Sequence, residues 1–232
     1  MTAEDIRSRL VDAAVHLLAE GGPEALQARK VAAEVGASTM AVYTHFGGMG
    51  ELVEAVAREG FRRLRDNLGR IPPGDDPVAD IFVKAYAYRH TAVEHPQLYA
   101  VTFGLSAPGG KRAAIKGVAD LTDANSEEGR EALSHIVDAS ARAIEAGRFR
   151  QAEPLEVASQ LWSGVHGYVT LEIAGHFGED NAGVNQVLLP LGVTLAVGLG
   201  DTPESAARSQ RVAVDTWRKA NGNAGHPSDD VR

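Results

Sequence analysis

Two short apolar periodicities separated by one glycine, between Gln27 and Phe46, constrain this chain more than any other stretch. From Ala28 to Val35 the apolar positions Val31, Ala32 and Val35 share one helical face. Gly36 falls where a helix end needs a left-handed residue, which glycine supplies without steric cost. Ser38 is a candidate N-cap for a second helix, from Thr39 to about His45. On that helix Val42 and Phe46 are expected inward, with Thr39, Met40, Tyr43, Thr44 and His45 outward or at the edge. A helix, a glycine turn and a short helix with a polar face make a helix-turn-helix pattern. Its second helix fits a DNA major groove, about 12 Å wide.

Helical spacing continues on both sides. Ile6, Leu10, Ala13, Ala14, Leu17 and Leu18 predict a first helix from Thr2 to Ala19, with Thr2 and Asp5 as a capping box and Gly21-Gly22-Pro23 as its end. A three-helix unit of this size is marginal alone, so it is expected to lean on helices further along the chain. Leu52, Val53, Val56, Phe61, Leu64 and Leu68 mark a fourth helix to about Leu68. The Pro/Gly/Asp-rich run 71–77 then reads as a boundary. Beyond it the spacing predicts helices over Pro77–Glu94, Leu98–Leu105, Asn125–Ala146 (Leu133, Ile136, Val137 and Ile144 inward), Pro154–Phe177 (Ile173 among its inward residues), Val184–Leu199 (kinked near Pro190) and Pro203–Lys219. Residues 106–122 are ambiguous, and no strand pattern or internal repeat competes. The expected architecture is all-α: a helix-turn-helix domain over 1–50 with a connecting helix to about 70, a helical bundle over 77–219, and a disordered tail over 220–232.

Charge tests the nucleic-acid reading. The net charge of −8 is unevenly spread: residues 1–70 hold nine Lys/Arg against ten Asp/Glu, and residues 71–232 hold fourteen against twenty-one. No carboxylate occurs between Glu34 and Glu51, while Arg29, Lys30 and His45 lie in or beside that window. The head is therefore locally non-repulsive without being a basic patch. The absence of cysteine excludes disulfides and thiolate metal sites and fits a reducing cytosol. The N-terminus runs straight into an amphipathic pattern, and the apolar run 187–199 is too short for a bilayer and is interrupted by Pro190 and Gly192. A cytoplasmic protein without membrane contact is expected.

These strings resemble a known family. Residues 4–60, above all Val31-Ala32-Ala33-Glu34-Val35-Gly36-Ala37-Ser38-Thr39-Met40-Ala41-Val42-Tyr43-Thr44-His45-Phe46 with Leu52 beyond, resemble the DNA-binding domain of TetR-family transcriptional regulators. Tyr88-Arg89, His95-Pro96, Leu98-Tyr99 and Phe103, then Leu161-Trp162, His166-Gly167 and Leu171, resemble the two motifs of the WHG class of that family. Two positions depart from the pattern. Gln27 stands where the family often has a capping Thr, and Met49 where it usually has a Lys that reaches a DNA phosphate.

The candidate DNA contacts are Arg29, Lys30, Ser38, Thr39, Met40, Tyr43, Thr44 and His45. Thr39, Met40 and Thr44 are the base-edge readers, since threonine can donate to bases and methionine can pack on a thymine methyl. The resemblance implies a phosphate contact for His45. Tyr86, His90, Tyr99, Phe103, Trp162, His166 and Tyr168 are candidate walls of an effector pocket, because they put polar tips on apolar helical faces. Packing of the bundle is the competing role for each. Glu172/His176 and Glu131/His135 lie four apart on helices, but neither makes a Glu-x-x-His bundle site. Without a metalloprotease helix, phosphate loop or nucleophile elbow, no enzyme, metal or cofactor is expected. The expected function is a repressor that binds a palindromic double-stranded operator as a homodimer through helices 154–177 and 184–199 and is released by a small molecule. The alternative is a small-molecule-binding helical protein with a degraded head.

Overall fold

The computed structural model describes residues 3–106, 127–178 and 181–222, and every regular element among them is helical. The Thr2 cap, most of the ambiguous 106–122 stretch and nearly all of the expected tail lie outside these residues. The chain divides into two compact units, the first taking described residues to 63 and from 94 to 130, the second the remainder.

The first unit contains α1 (Ala3–Gly21), a 3-10 turn (Pro23–Ala25), α2 (Ala28–Glu34), α3 (Met40–Phe46), most of α4 (Met49–Gly69) and α6 (Pro96–Thr102). Leu10, Ala14, Leu18, Val31, Val42, Leu52 and Val56 are fully buried in one core. Each buried Leu or Val stabilises by roughly 1.5–3 kcal/mol. The head does not close this core alone: α6, although it comes after the 71–77 segment in sequence, adds Leu98 and Val101. The α4–α6 crossing requires Gly60, where a Cβ would lie 1.8 Å from Thr102 Oγ1.

The second unit is built around α5 (Pro77–Glu94), with the end of α4, α7 (Glu127–Glu145), α8 (Pro154–Ile173), α9 (Leu189–Leu199) and α10 (Pro203–Asn221). α5 is buried almost all round, including Asp80, Lys84, Arg89 and Thr91. Each of these polar groups has a partner, as buried polar groups must. Arg142 and the Gly74 amide meet Asp80. Lys84 Nζ donates to the Leu68 and Ile71 carbonyls at the end of α4, and burial lowers its pKa. Asn67 donates to Thr91. Asp76 caps α5, accepting from the Val78 and Ala79 amides at 3.0 and 3.1 Å.

Three expectations are corrected. α7 buries Ala132, Ala139, Ser140, Ala143 and Ile144, while Leu133, Ile136 and Val137 are only half-buried; small side chains form its contact stripe. α8 stops at Ile173 rather than Phe177, and Leu171 and Ile173 are exposed. The stretch expected as one kinked helix begins as a π turn, Val184–Leu188, and becomes α-helical only at Leu189, next to Pro190. Proline has no N–H to continue the ladder.

Candidate nucleic-acid interface and effector pocket

The helix-turn-helix is built from local hydrogen bonds. After α2, the Ala37 amide returns to Ala32 O (2.8 Å) and the Gly36 amide to Ala33 O (3.0 Å), the pairing of a Schellman motif. Gly36 has φ +69°, the left-handed conformation the turn requires. Arg9 Nη2 donates to Val35 O at 3.1 Å, satisfying another carbonyl at this helix end. Gln27 is the extended N-cap of α2 but makes no side-chain cap; its Nε2 donates backward to Glu24 O instead. α3 begins one residue later than expected, so Thr39 rather than Ser38 occupies the N-cap position, in helical conformation and without a side-chain cap.

α3 divides as its sequence predicts. Val42 and Phe46 are buried, and the Arg7 guanidinium lies 4.8 Å over the Phe46 ring. Met40 is 65% and Tyr43 49% exposed, and Thr44 is exposed beside them. The spacing 40, 43, 44 puts these three on one face. Arg29, Lys30, Ser38 and Thr39 are also exposed, while His45 is half-buried. Met49, the position of the family's lysine, packs against the head core.

The seven expected effector-pocket residues fall into several sets. Tyr99 and Phe103 belong to the first unit, where Phe103 meets Tyr99 (4.8 Å) and the edge of Phe61 (5.3 Å). In the second unit, Trp162 Nε1 donates to Tyr88 Oη (3.2 Å), which is 2.8 Å from His166 Nδ1. Burial lowers the His166 pKa and so favours the neutral imidazole, and Tyr88 Oη and His166 Nδ1 share one hydrogen bond whose direction follows the imidazole tautomer. Tyr168 stacks on Phe177 at 5.0 Å and donates to Glu172 Oε1 (3.0 Å). Glu172 is also held by Arg89 through Nε (2.8 Å) and Nη2 (2.7 Å), and Arg89 Nη2 reaches Asn181 Oδ1 (2.8 Å). Tyr86 and His90 present to the ring of Trp217 at 6.2 and 5.7 Å. Trp162, His166 and Tyr168 are thus tied into the bundle, whereas the Tyr86 hydroxyl is buried with no hydrogen-bond partner.

Sequence reasoning does not single out Tyr88, Arg89 or Trp217 as site residues. Tyr88-Arg89 stands in a family motif, but the partners of this pair lie 74–92 residues away, where periodicity gives no signal. Both carboxylates of the i, i+4 Glu/His pairs are taken by arginine: Glu131 by Arg65 and Glu172 by Arg89. Among the described residues, no helix is long and apolar enough to cross a membrane.

Comparison with known proteins places both parts of the chain in one family. Residues 10–56 match the family model for bacterial regulatory proteins of the tetR family, and residues 83–189 match that for the tetracyclin repressor-like C-terminal domain. The HTH-type transcriptional regulator Rv1816 of Mycobacterium tuberculosis is 25% identical over 207 residues, 76% of this chain and 84% of that protein. The HTH-type nicotine-responsive transcriptional repressor HdnoR of Paenarthrobacter nicotinovorans is 34% identical over 77 residues, 33% of this chain and 40% of that one. A solved structure from Rhodococcus sp. RHA1 superposes with TM-score 0.66 at 26% identity, covering 84% of this chain and 96% of its own.

Proposed function

The chain belongs to the TetR family of transcriptional regulators, and from that premise we propose that it is a repressor that binds a pseudo-palindromic operator as a homodimer and is released by a small-molecule effector. Members of this family are DNA-binding regulators, not enzymes. The observation that carries the proposal is the exposed face of α3. Met40 and Tyr43 are large apolar and aromatic side chains held in water on a helix whose other face is in the core. A folded chain gains nothing from that exposure unless a partner covers it. Thr39, Met40 and Thr44 read base edges, Tyr43 and His45 meet the groove edge and backbone, and Arg29, Lys30 and Ser38 hold phosphates.

One head spans too few base pairs to select a site, so two must act together, their recognition helices about 34–36 Å apart. The surface available for pairing is on α8 and α9. Leu171 and Ile173 are exposed, and Val193 and Val197 are only half-buried in the single chain. Pairing these helices with their twins removes that surface from water. The effector binds the second unit and favours a dimer whose heads are wrongly spaced. It releases DNA only to the extent that its affinity differs between the two states. α4, continuous from Met49 to Gly69, contributes residues to both units and is the element through which the shift passes.

Selection of bound duplexes from random DNA by the full chain, at about physiological salt, tests the proposal. A recovered palindrome is the expected result. Recovery of no sequence, in the presence or absence of candidate effectors, favours instead a ligand-binding protein with a degraded head, which the uncapped Gln27 and inward Met49 would suit. Light scattering at micromolar concentration tests the dimer, and a monomer would overturn that part.

A further inference from the structure

We propose that the effector is an uncharged, largely apolar molecule with one hydrogen-bond acceptor, held where α5, α8 and α9 meet, with the Tyr86 hydroxyl as its donor. The inference rests on the reading that the second unit binds an effector, and it names that molecule's chemistry. Tyr86 of α5 lines a crevice with Phe82, Ala85, Leu161, Val165, Leu191 and Leu195. No lining residue carries a charge. A charged guest would give up its hydration there without a counter-charge, which excludes carboxylates and ammonium ions. Tyr86 itself is 8% exposed, and its hydroxyl has no partner. Burial raises its pKa, so the proton stays on the oxygen and the group is a donor that lacks an acceptor. Buried hydroxyls in folded proteins are almost always satisfied, so an orphan on a residue that lines a crevice needs an explanation.

Water explains it poorly. The void is about 30 Å³, room for one water, and a buried water wants two to four polar partners. Besides Tyr86 the one polar side chain in the lining is Gln210, whose Nε2 donates to Leu189 O at 2.6 Å, so a single water would have at most the Gln210 Oε1 and the Tyr86 hydroxyl as side-chain partners, the lower limit of that range. A guest larger than water needs one wall to yield, and α9 is that wall. It is seated closely on α5, since a Cβ on Gly192 would come within 3.0 Å of Phe82. It is also entered through the π turn Val184–Leu188 and Pro190, an interrupted hydrogen-bond ladder of the kind often found at functional sites.

The test uses the full chain and one ring with five substituents: methylcyclohexane, cyclohexanone, cyclohexanol, cyclohexylamine and cyclohexanecarboxylate. Binding is read by thermal shift and by tryptophan fluorescence, Trp217 lying against Tyr86. The expected order puts cyclohexanone and cyclohexanol about tenfold tighter than methylcyclohexane, one hydrogen bond's worth, with no binding of the two charged compounds. Tyr86→Phe keeps the ring packing and should erase the tenfold preference. Equal binding of the charged compounds, a preference that survives Tyr86→Phe, or no binding by any of the five would overturn the proposal. Release of operator DNA is measured in parallel. Tyr86-dependent binding that leaves DNA bound keeps the crevice and removes the effector reading. Release by a compound indifferent to Tyr86 keeps the effector reading and removes the crevice.

Discussion

On α3, Thr39, Met40, Tyr43 and Thr44 stand in solvent without a side-chain partner among the described residues; on the facing sides of α5 and α8, Tyr88, Arg89, Trp162, His166, Tyr168 and Glu172 are all engaged with one another or their neighbours. Both sets are rich in polar and aromatic residues, and Tyr88, Arg89, Trp162 and His166 of the second, like the first set, sit in strings that carry the family resemblance. Their physical roles are opposite. The first set contributes little to the folded state and is available to a partner. The second closes a seam through the middle of a bundle, where an unpaired group would be costly. A motif residue therefore marks a function only when the fold leaves it something to bind.

The largest expected effect comes from breaking the seam. Glu172→Ala removes the carboxylate from the buried Arg89 guanidinium and leaves it facing the neutral groups of Asn181 and Tyr168. Arg89 and Glu172 are both about one-tenth exposed, so the loss should approach the roughly 3–5 kcal/mol typical of a broken buried pair. Urea unfolding measures it. A cost under about 1 kcal/mol would mean that the seam behaves like a surface ion pair.

Next in size is the reverse experiment on α3. Tyr43→Ala should weaken operator binding by about 1–3 kcal/mol, the worth of one good contact, with stability unchanged within about 0.5 kcal/mol. Fluorescence anisotropy on labelled operator and a thermal melt give the two numbers. Unchanged DNA affinity would mean that α3 is not the reading helix, and the contrast between the two regions would collapse.

A smaller effect separates pH from packing in the second unit. Burial works against ionisation of Asp76, but the Ser209 hydroxyl, the Ala79 and Val78 amides and Arg148 together hold its pKa below the usual aspartate value. A carboxylate depressed in the folded state stabilises above its unfolded pKa, near about 4, and that stability is lost as the pH falls through the folded value. Asp76→Asn should cost about 1 kcal/mol at pH 7, the scale of a lost cap. Unfolding free energies between pH 7 and 3 should show the variant losing less stability on acidification than the parent. Parallel curves would assign the acid sensitivity elsewhere.

The two regions also differ in how far they can be read from the chain. The head is local. Its helices, the Gly36 turn and the inward Val31, Val42 and Phe46 all come from spacings of three and four. The cap position differs: Thr39 rather than Ser38 takes it, without a side-chain hydrogen bond. The seam is not local. Trp162 and His166 are visible as motif residues, but their partner Tyr88 is 74 and 78 positions away. α7 departs from expectation for a related reason: sequence periodicity weights large apolar residues, while the bundle packs it through Ala132, Ala139 and Ala143. The contribution of Leu98 and Val101 to the head core is hidden behind the 71–77 segment, which looks like the end of that domain.

Met49→Lys sharpens the contrast at the smallest scale. Met49 opens α4, half-buried against the head core, at the position where the family pattern that the head resembles usually has a lysine. It therefore behaves like the seam, turned inward and engaged, although it stands on the proposed DNA side. Lysine can keep its methylene stem on the same apolar surface while its ammonium reaches water, so the fold should tolerate the change within about 1 kcal/mol. If the corner faces a phosphate, each head gains one contact. The slope of log affinity against log salt then steepens by about one per head, so by about two for a dimer. Binding should tighten at low salt for specific and random duplexes alike, because a phosphate contact carries no sequence information. An unchanged slope would place Met49 away from the DNA backbone and leave α3 to act with fewer phosphate anchors than the family pattern implies. Tighter binding to the operator alone would make position 49 a reader of bases.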